Sequence, residues 1–141
     1  MSDQNVELHR RLLAAVNARD LEAVIALCDP DIELHSLMTV PGGAIYHGHD
    51  GAQRFLADLV DAWGDELRLD AEAYFDLGEH TLMFYVARGR GKQSGADVEM
   101  EWAQVCSWRD GLLVYSKPYV NREDALRDMG VSQDAIEPIA P

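Results

Sequence analysis

The chain has 141 residues, the size of one domain on the usual scale of roughly 100–200 residues. Apolar residues make up 48% and charged residues 26%, enough apolar material for a core and too much for a disordered chain. Twelve Lys/Arg stand against 25 Asp/Glu, a net charge of −13, so nucleic acid and anionic membrane surfaces are poor partners.

Residues 4–18 read as a helix, with Leu8, Leu12, Ala15 and Val16 returning at helical spacing. Asp20 caps a second, shorter helix with the apolar face Leu21, Val24, Ile25 and Cys28. Asp29-Pro30-Asp31 ends it, since proline cannot continue helical hydrogen bonding. A short strand follows at Ile32–Leu37, then an irregular stretch from Thr39 to His49 that is loosest at Pro41-Gly42-Gly43. A third helix is predicted from an Asp50/Gln53 capping box to the Gly64 stop, with Phe55, Leu56, Leu59 and Trp63 as its stripe.

After Gly64 the period falls to two. Leu67, Leu69, Ala71, Ala73, Phe75 and Leu77 alternate with polar residues, and Gly78-Glu79 turns the chain into Thr81–Arg90. A glycine-rich loop, Gly89–Asp97, leads to the strand Val98–Trp108, and Asp110-Gly111 turns it into Leu112–Val120. Asn121 and Asp124 open a last helical turn that stops at Gly130, and residues 131–141 read as a loose tail. Helices followed by a curling antiparallel meander make an α+β plan: one domain over residues 1–130, with the helices on one face of the sheet.

Cys28 and Cys106 share no motif and read as small buried hydrophobes, neither a disulfide nor a metal site. The polar start MSDQNVELHRR and the lack of a long apolar run lead to the expectation of a cytoplasmic protein. Arg88-Gly89-Arg90-Gly91 lies between two strands rather than at a helix N-terminus and reads as a hairpin end, not a phosphate loop. His47-Gly48-His49 lacks further ligands at a recognisable spacing and reads as loop histidines, so no metal and no cofactor are expected.

Along the chain stand Asn17-Ala18-Arg19-Asp20, Asp29-Pro30-Asp31-Ile32-Glu33, Tyr46-His47-Gly48-His49-Asp50-Gly51 and Phe75-Asp76-Leu77-Gly78. Arg88-Gly89-Arg90-Gly91 with Ser94-Gly95, Arg109-Asp110-Gly111, and Asn121 to Leu126 with Gly130 follow in order. This ordered set of motifs resembles the SnoaL-like members of the NTF2-like superfamily, a cone-shaped fold related to polyketide cyclases and ketosteroid isomerases. The resemblance implies a pocket between helices and sheet, with a general base on the first strand and an acid on the long strand beside a tyrosine.

Carried over by position, the base falls on His35, whose imidazole titrates near neutral pH, and the acid on or near Glu101. The tyrosine position falls near Leu12, which cannot donate a hydrogen bond. Phe55, Leu59 and Trp63 from the third helix, with Tyr46, Phe84 and Val86, are the expected substrate contacts, and Arg88 either meets a substrate carboxylate at the rim or stays solvated.

Two counts compete on the strand 98–108. Simple alternation puts Val98, Met100, Trp102, Cys106 and Trp108 on the core face and sends Glu101 to water. The family count turns Glu101 into the pocket and leaves Trp102, Cys106 and Trp108, with Tyr115 and Tyr119, on an outer face that a second copy would cover as a homodimer. Three functions stay open: cofactor-free acid–base chemistry on an apolar carbonyl-bearing metabolite, non-catalytic binding of a hydrophobic small molecule, and a dimerisation module.

Overall fold

The computed structural model describes residues 3–92 and 95–141. The elements run α1 (Asp3–Asn17), α2 (Leu21–Leu27), β1 (Cys28–Ser36), β2 (Ala44–His47), α3 (Gly48–Trp63), β3 (Arg68–Leu77), β4 (His80–Arg90), β5 (Asp97–Arg109), β6 (Leu112–Tyr119) and α4 (Arg122–Asp128), with a short 3-10 turn at Gln133–Ala135. Ser94, one of the residues carrying the resemblance, lies in the Gly89–Asp97 loop outside the described residues.

The strands form one sheet in the order β2-β1-β6-β5-β4-β3. The sequence predicts an all-antiparallel meander, and the sheet is instead mixed. β1 runs parallel to β6, with Glu33 beside Tyr115 and Leu34 beside Ser116, while the other neighbours are antiparallel. β1 has its hairpin partner in β2, so the last arm of the meander closes on its other edge in the same direction.

The sheet has two covered faces. α1, α2 and α3 pack on the inner one, where Val6, Leu12, Val24, Leu56 and Leu59 meet Tyr74, Met83, Tyr85, Cys106, Trp108 and Leu113. On the outer face α4 lays Ala125 and Leu126 over Phe75, Leu82, Phe84, Ala103 and Val105. Each fully buried side chain of this size contributes about 1.5–3 kcal/mol.

Several boundaries differ from the predicted ones for local reasons. α2 ends at Leu27, and Asp29-Pro30-Asp31 lies within β1 rather than before it. The β1–β6 register shifts between Cys28 and Glu33, and this irregularity is where a proline without an N–H fits a strand. The Asp29 carboxylate accepts from the Asp31 N–H at 2.8 Å and supports the bend. α3 starts at Gly48 with His47 as an N-cap that makes no side-chain bond, so Asp50 sits inside the first turn, where it complements the helix dipole. The stretch expected to be irregular contains β2.

The tail is pinned rather than loose. Ile139 and Tyr74 exchange backbone hydrogen bonds of 2.9 and 2.7 Å, and Val131 and Ile136 pack on the outer core.

The family motifs at the helix ends serve packing. The Asn17 amide bonds both backbone groups of Leu69 (2.8 and 2.9 Å), and Arg19 donates to the carbonyls of Val16, Gly64 and Leu67, tying α1 to the end of α3 and the start of β3. The Asp20 carboxylate caps α2 through the Ala23 N–H.

Candidate functional site

α1, α2 and α3 close the inner face of the sheet around a cavity of about 60 Å³. Leu12, Leu13 and Val16 of α1, Val24, Phe55 and Leu34 form its apolar side. Leu69, Tyr85, Gln104, Leu113, Ser116 and Pro118 form its floor, and Ser36, Leu37 and Met38 lead from β1 across its mouth.

A strap over that mouth is held by side chains from α3 and β2. Trp63 donates its Nε1–H to the Met38 carbonyl at 2.8 Å. The Tyr46 hydroxyl donates to Asp58 at 2.7 Å and meets the Thr39 hydroxyl at 2.8 Å. Gly42 and Gly43 turn the strap back toward β2 with φ of +82° and +88°.

Beneath the cavity a polar chain crosses from sheet to helix and back. Trp108 Nε1–H donates to Thr81 Oγ1 (2.9 Å), which bonds His9 Nδ1 (2.8 Å). His9 Nε2 meets Gln104 Oε1 (2.8 Å), and Gln104 Nε2 donates to Ser116 Oγ (2.9 Å). A carbonyl oxygen only accepts, so His9 carries its proton on Nε2 and accepts from Thr81 at Nδ1. Burial pushes His9 down to about pKa 4, partly opposed by its bond to Gln104, so the ring is neutral. The Tyr74 ring stands edge-on to it at 5.2 Å.

Tyr85 is buried on the inner face and lines the cavity. Burial raises its pKa, and nearby Cys106 adds to the shift, so the phenol stays protonated.

Glu101 is not in the cavity. β5 follows simple alternation: Met100, Trp102, Gln104 and Cys106 turn inward, while Glu101 pairs with Val86 on the outer face, 72% exposed, with Arg122 at 4.0 Å. The same parity removes three expected substrate contacts. Phe84 packs against Phe75 at 5.0 Å under the Arg122 guanidinium. Val86 is buried on that outer face, and Arg88 pairs with Asp70 at 2.8 Å and Glu99 at 3.7 Å.

The basis for a pairing face changes too. Cys106 and Trp108 are buried in the inner core and Trp102 packs against it, because the helices supply the cover that a second copy was expected to give. Tyr115 and Tyr119 do lie outside, with the Tyr119 hydroxyl donating to Asp128.

His35 borders the cavity and also an outer groove. Alternation along β1 turns Leu34 and Ser36 inward. The His35 ring bonds Glu33 through Nε2 at 2.6 Å and lies 5.2 Å from the Tyr115 ring. His35 and Glu101 are therefore not brought together. Of the expected contacts, Phe55 lines the cavity, Leu59 is core, and Tyr46 and Trp63 hold the strap. His49 is committed to the Cys28 carbonyl at 2.9 Å.

Sequence reasoning missed His9, Thr81, Tyr85, Gln104 and Ser116. A signal for two of them is present: His9 interrupts the apolar stripe of α1, and Gln104 is the polar residue among the inward positions of β5.

An α+β cone with a chiefly apolar cavity between its helices and its sheet is the class of protein this fold defines. Residues 9–116 match the SnoaL-like domain, and the chain belongs to that family. A search of curated proteins gives no match. Among solved structures it is similar to an NTF2-like protein of unknown function from Burkholderia pseudomallei, with 22% identity and a TM-score of 0.72 over 88% of this chain and 95% of that one. It is similar to a putative SnoaL-like polyketide cyclase from a Jannaschia species, with 16% identity and a TM-score of 0.72 over 93% and 94%. A protein with a ketosteroid isomerase-like fold from Catenulispora acidiphila, in complex with trimethylamine, matches with 16% identity and a TM-score of 0.72 over 91% and 95%. At these identities the likeness carries the fold alone. Among the described residues no helix is long and apolar enough to cross a membrane.

Proposed function

We propose that this chain binds a small, uncharged, largely apolar molecule inside the cone. The observation that carries this reading is the cavity wall: aliphatic and aromatic side chains predominate, interrupted by the neutral groups of Ser36, Tyr85, Gln104 and Ser116 and bordered by His35, with no carboxylate or ammonium among the described lining residues. A charged ligand entering there would shed its water and meet only the His35 imidazole, already paired with Glu33, whereas an apolar one gains by leaving water.

Acid–base chemistry by His35 and Glu101 needs both groups within reach of one bound substrate, and Glu101 stands on the other face of the sheet from the cavity. The geometry therefore favours binding over proton transfer by His35 and Glu101.

The cavity volume, about 60 Å³, is smaller than the cavity of about 150 Å³ that takes benzene in an engineered protein. A ligand of more than a few atoms enters by displacing Leu37 and Met38 of the strap.

Titration with a panel of neutral ketones, esters and hydrocarbons, followed by backbone amide NMR, tests this. Shift changes should concentrate at Leu34, Tyr85, Gln104 and Ser116. Changes confined to the outer face, or none at millimolar ligand, overturn it.

A further inference from the structure

We infer that the C-terminal segment, Ile139 to Pro141, is a latch on the seam between α1 and β3, and that Arg10 and Ile139 thereby limit the size of molecule the cavity accepts. The inference rests on the binding reading above and adds what sets the ligand's size.

The cavity wall is thin along this seam. Leu13 of α1 and Leu69 of β3 line the cavity, and both also line an open groove between the two elements that Pro141 shares. The floor residues Tyr85, Gln104 and Ser116 lie on β4, β5 and β6, strands with a neighbour on either side, and Gln104 is tied to both His9 and Ser116. β3 is an edge strand, paired only with β4, and its register slips between Ala71 and Ala73. A cavity of about 60 Å³ must widen to hold more than a few atoms, and a bulged edge strand yields before strands paired on both sides.

Three links hold the seam. At one end the Asn17 amide bonds both backbone groups of Leu69, and at the other Asn5 donates to the Gly78 carbonyl just past β3. Between them no hydrogen bond joins α1 directly to β3 among the described residues, and the third link runs through the C-terminal segment. Ile139 exchanges backbone hydrogen bonds of 2.9 and 2.7 Å with Tyr74, and the Ala140 carbonyl accepts from Arg10 Nη2 at 2.7 Å. The Arg10 guanidinium also lies over the Tyr74 ring, 5.4 Å from its centre. Widening the cavity past Leu13 and Leu69 draws α1 away from β3, and this link opposes it. The segment lies beyond residues 9–116, which match the family.

The test uses the full chain and two neutral ketones, cyclopentanone with one ring and 2-decalone with two fused rings, titrated by protein-observed NMR into the wild type, Arg10→Met and Ile139→Pro. Arg10→Met keeps a long side chain and removes the donor to Ala140; Ile139→Pro removes the N–H that bonds the Tyr74 carbonyl. In each variant the affinity for 2-decalone relative to cyclopentanone should rise roughly two- to tenfold, the value of a hydrogen bond that widening no longer breaks. A general loosening of the fold would move both ketones alike, so the change of ratio marks the latch. The same ratio in all three proteins, or 2-decalone binding none of them while cyclopentanone binds, overturns the inference and leaves the cavity reading standing. If neither ketone shifts the cavity amides in any of the three, both fall.

Discussion

Gln104 Oε1 on β5 accepts a hydrogen bond from His9 Nε2 on α1 at 2.8 Å, joining the first helix to the floor of the cavity. The ring's other bond, from the Thr81 hydroxyl to Nδ1 at 2.8 Å, stands only while His9 is neutral at Nδ1. A protonated ring would carry an N–H against the Thr81 hydroxyl and a charge with no carboxylate partner, in a place that excludes water.

This sets the sign of a pH effect. His9 titrates at about 4 in the folded chain against 6.5 for an ordinary histidine, so between those values the unfolded state holds more protons. Its contribution to stability is complete above about pH 6.5 and is lost as the pH falls toward 4, by about 3 kcal/mol in total. Urea unfolding at pH 7, 5.5 and 4.5 should show the wild type losing more stability on acidification than His9→Phe, which has no proton to take up. Parallel curves for the two would show that His9 is not the buried titrating group.

Much of the architecture is legible because the patterns are strong: the change of period after Gly64, the Asp110-Gly111 turn, and the alternation of β5, where Glu99 and Glu101 stand against Met100 and Trp102. The face of β4 is not legible. Leu82 to Ala87 are buried on both faces, under α1 on one side and α4 on the other, so no alternation marks which residues face the cavity. A count carried from the family then turns the sheet by one residue, and one residue moves Phe84, Val86, Arg88 and Glu101 together. The polar floor is illegible for another reason: His9 meets Thr81 and Gln104 only through tertiary packing of α1 on β4 and β5.

Glu101→Gln and Arg88→Ala follow from that parity. Both side chains stand at the outer surface, where exposed ion pairs contribute little. Each variant should keep the wild-type affinity for a cavity ligand and stay within about 0.5 kcal/mol of its stability. A large loss of binding in Glu101→Gln would restore the carboxylate to the pocket and overturn the assignment of the inner face.

Gly51 gives a prediction of reversed sign. Inside a helix, glycine to alanine ordinarily stabilises by about 1 kcal/mol. At Gly51 an added Cβ would lie 2.9 Å from the Tyr46 carbonyl carbon and 3.1 Å from its Cβ, backbone and near-backbone atoms that cannot swing away. Gly51→Ala should therefore destabilise by roughly 1–3 kcal/mol, as overpacking does. Thermal melts beside an exposed helix control such as Gln53→Ala would measure it, and a gain in stability would show that α3 and β2 are not in this contact.

The strap supplies the last prediction. Leu37 and Met38 cover the cavity, and the indole of Trp63 holds them through the Met38 carbonyl. Trp63→Phe keeps an aromatic ring and deletes that donor, at a cost of about 0.5–1.5 kcal/mol. The loss falls on the strap, because the indole's bond is to the Met38 carbonyl of the strap itself. Hydrogen exchange of the amides from Leu37 to Gly43 should quicken several-fold while those of β4 and β5 keep wild-type rates, and ligand association should quicken with it, since the indole bond must break for Leu37 and Met38 to move. Unchanged exchange across the strap would mean that Tyr46 and Thr39 alone hold it shut, and the route into the cavity would then have to avoid Met38.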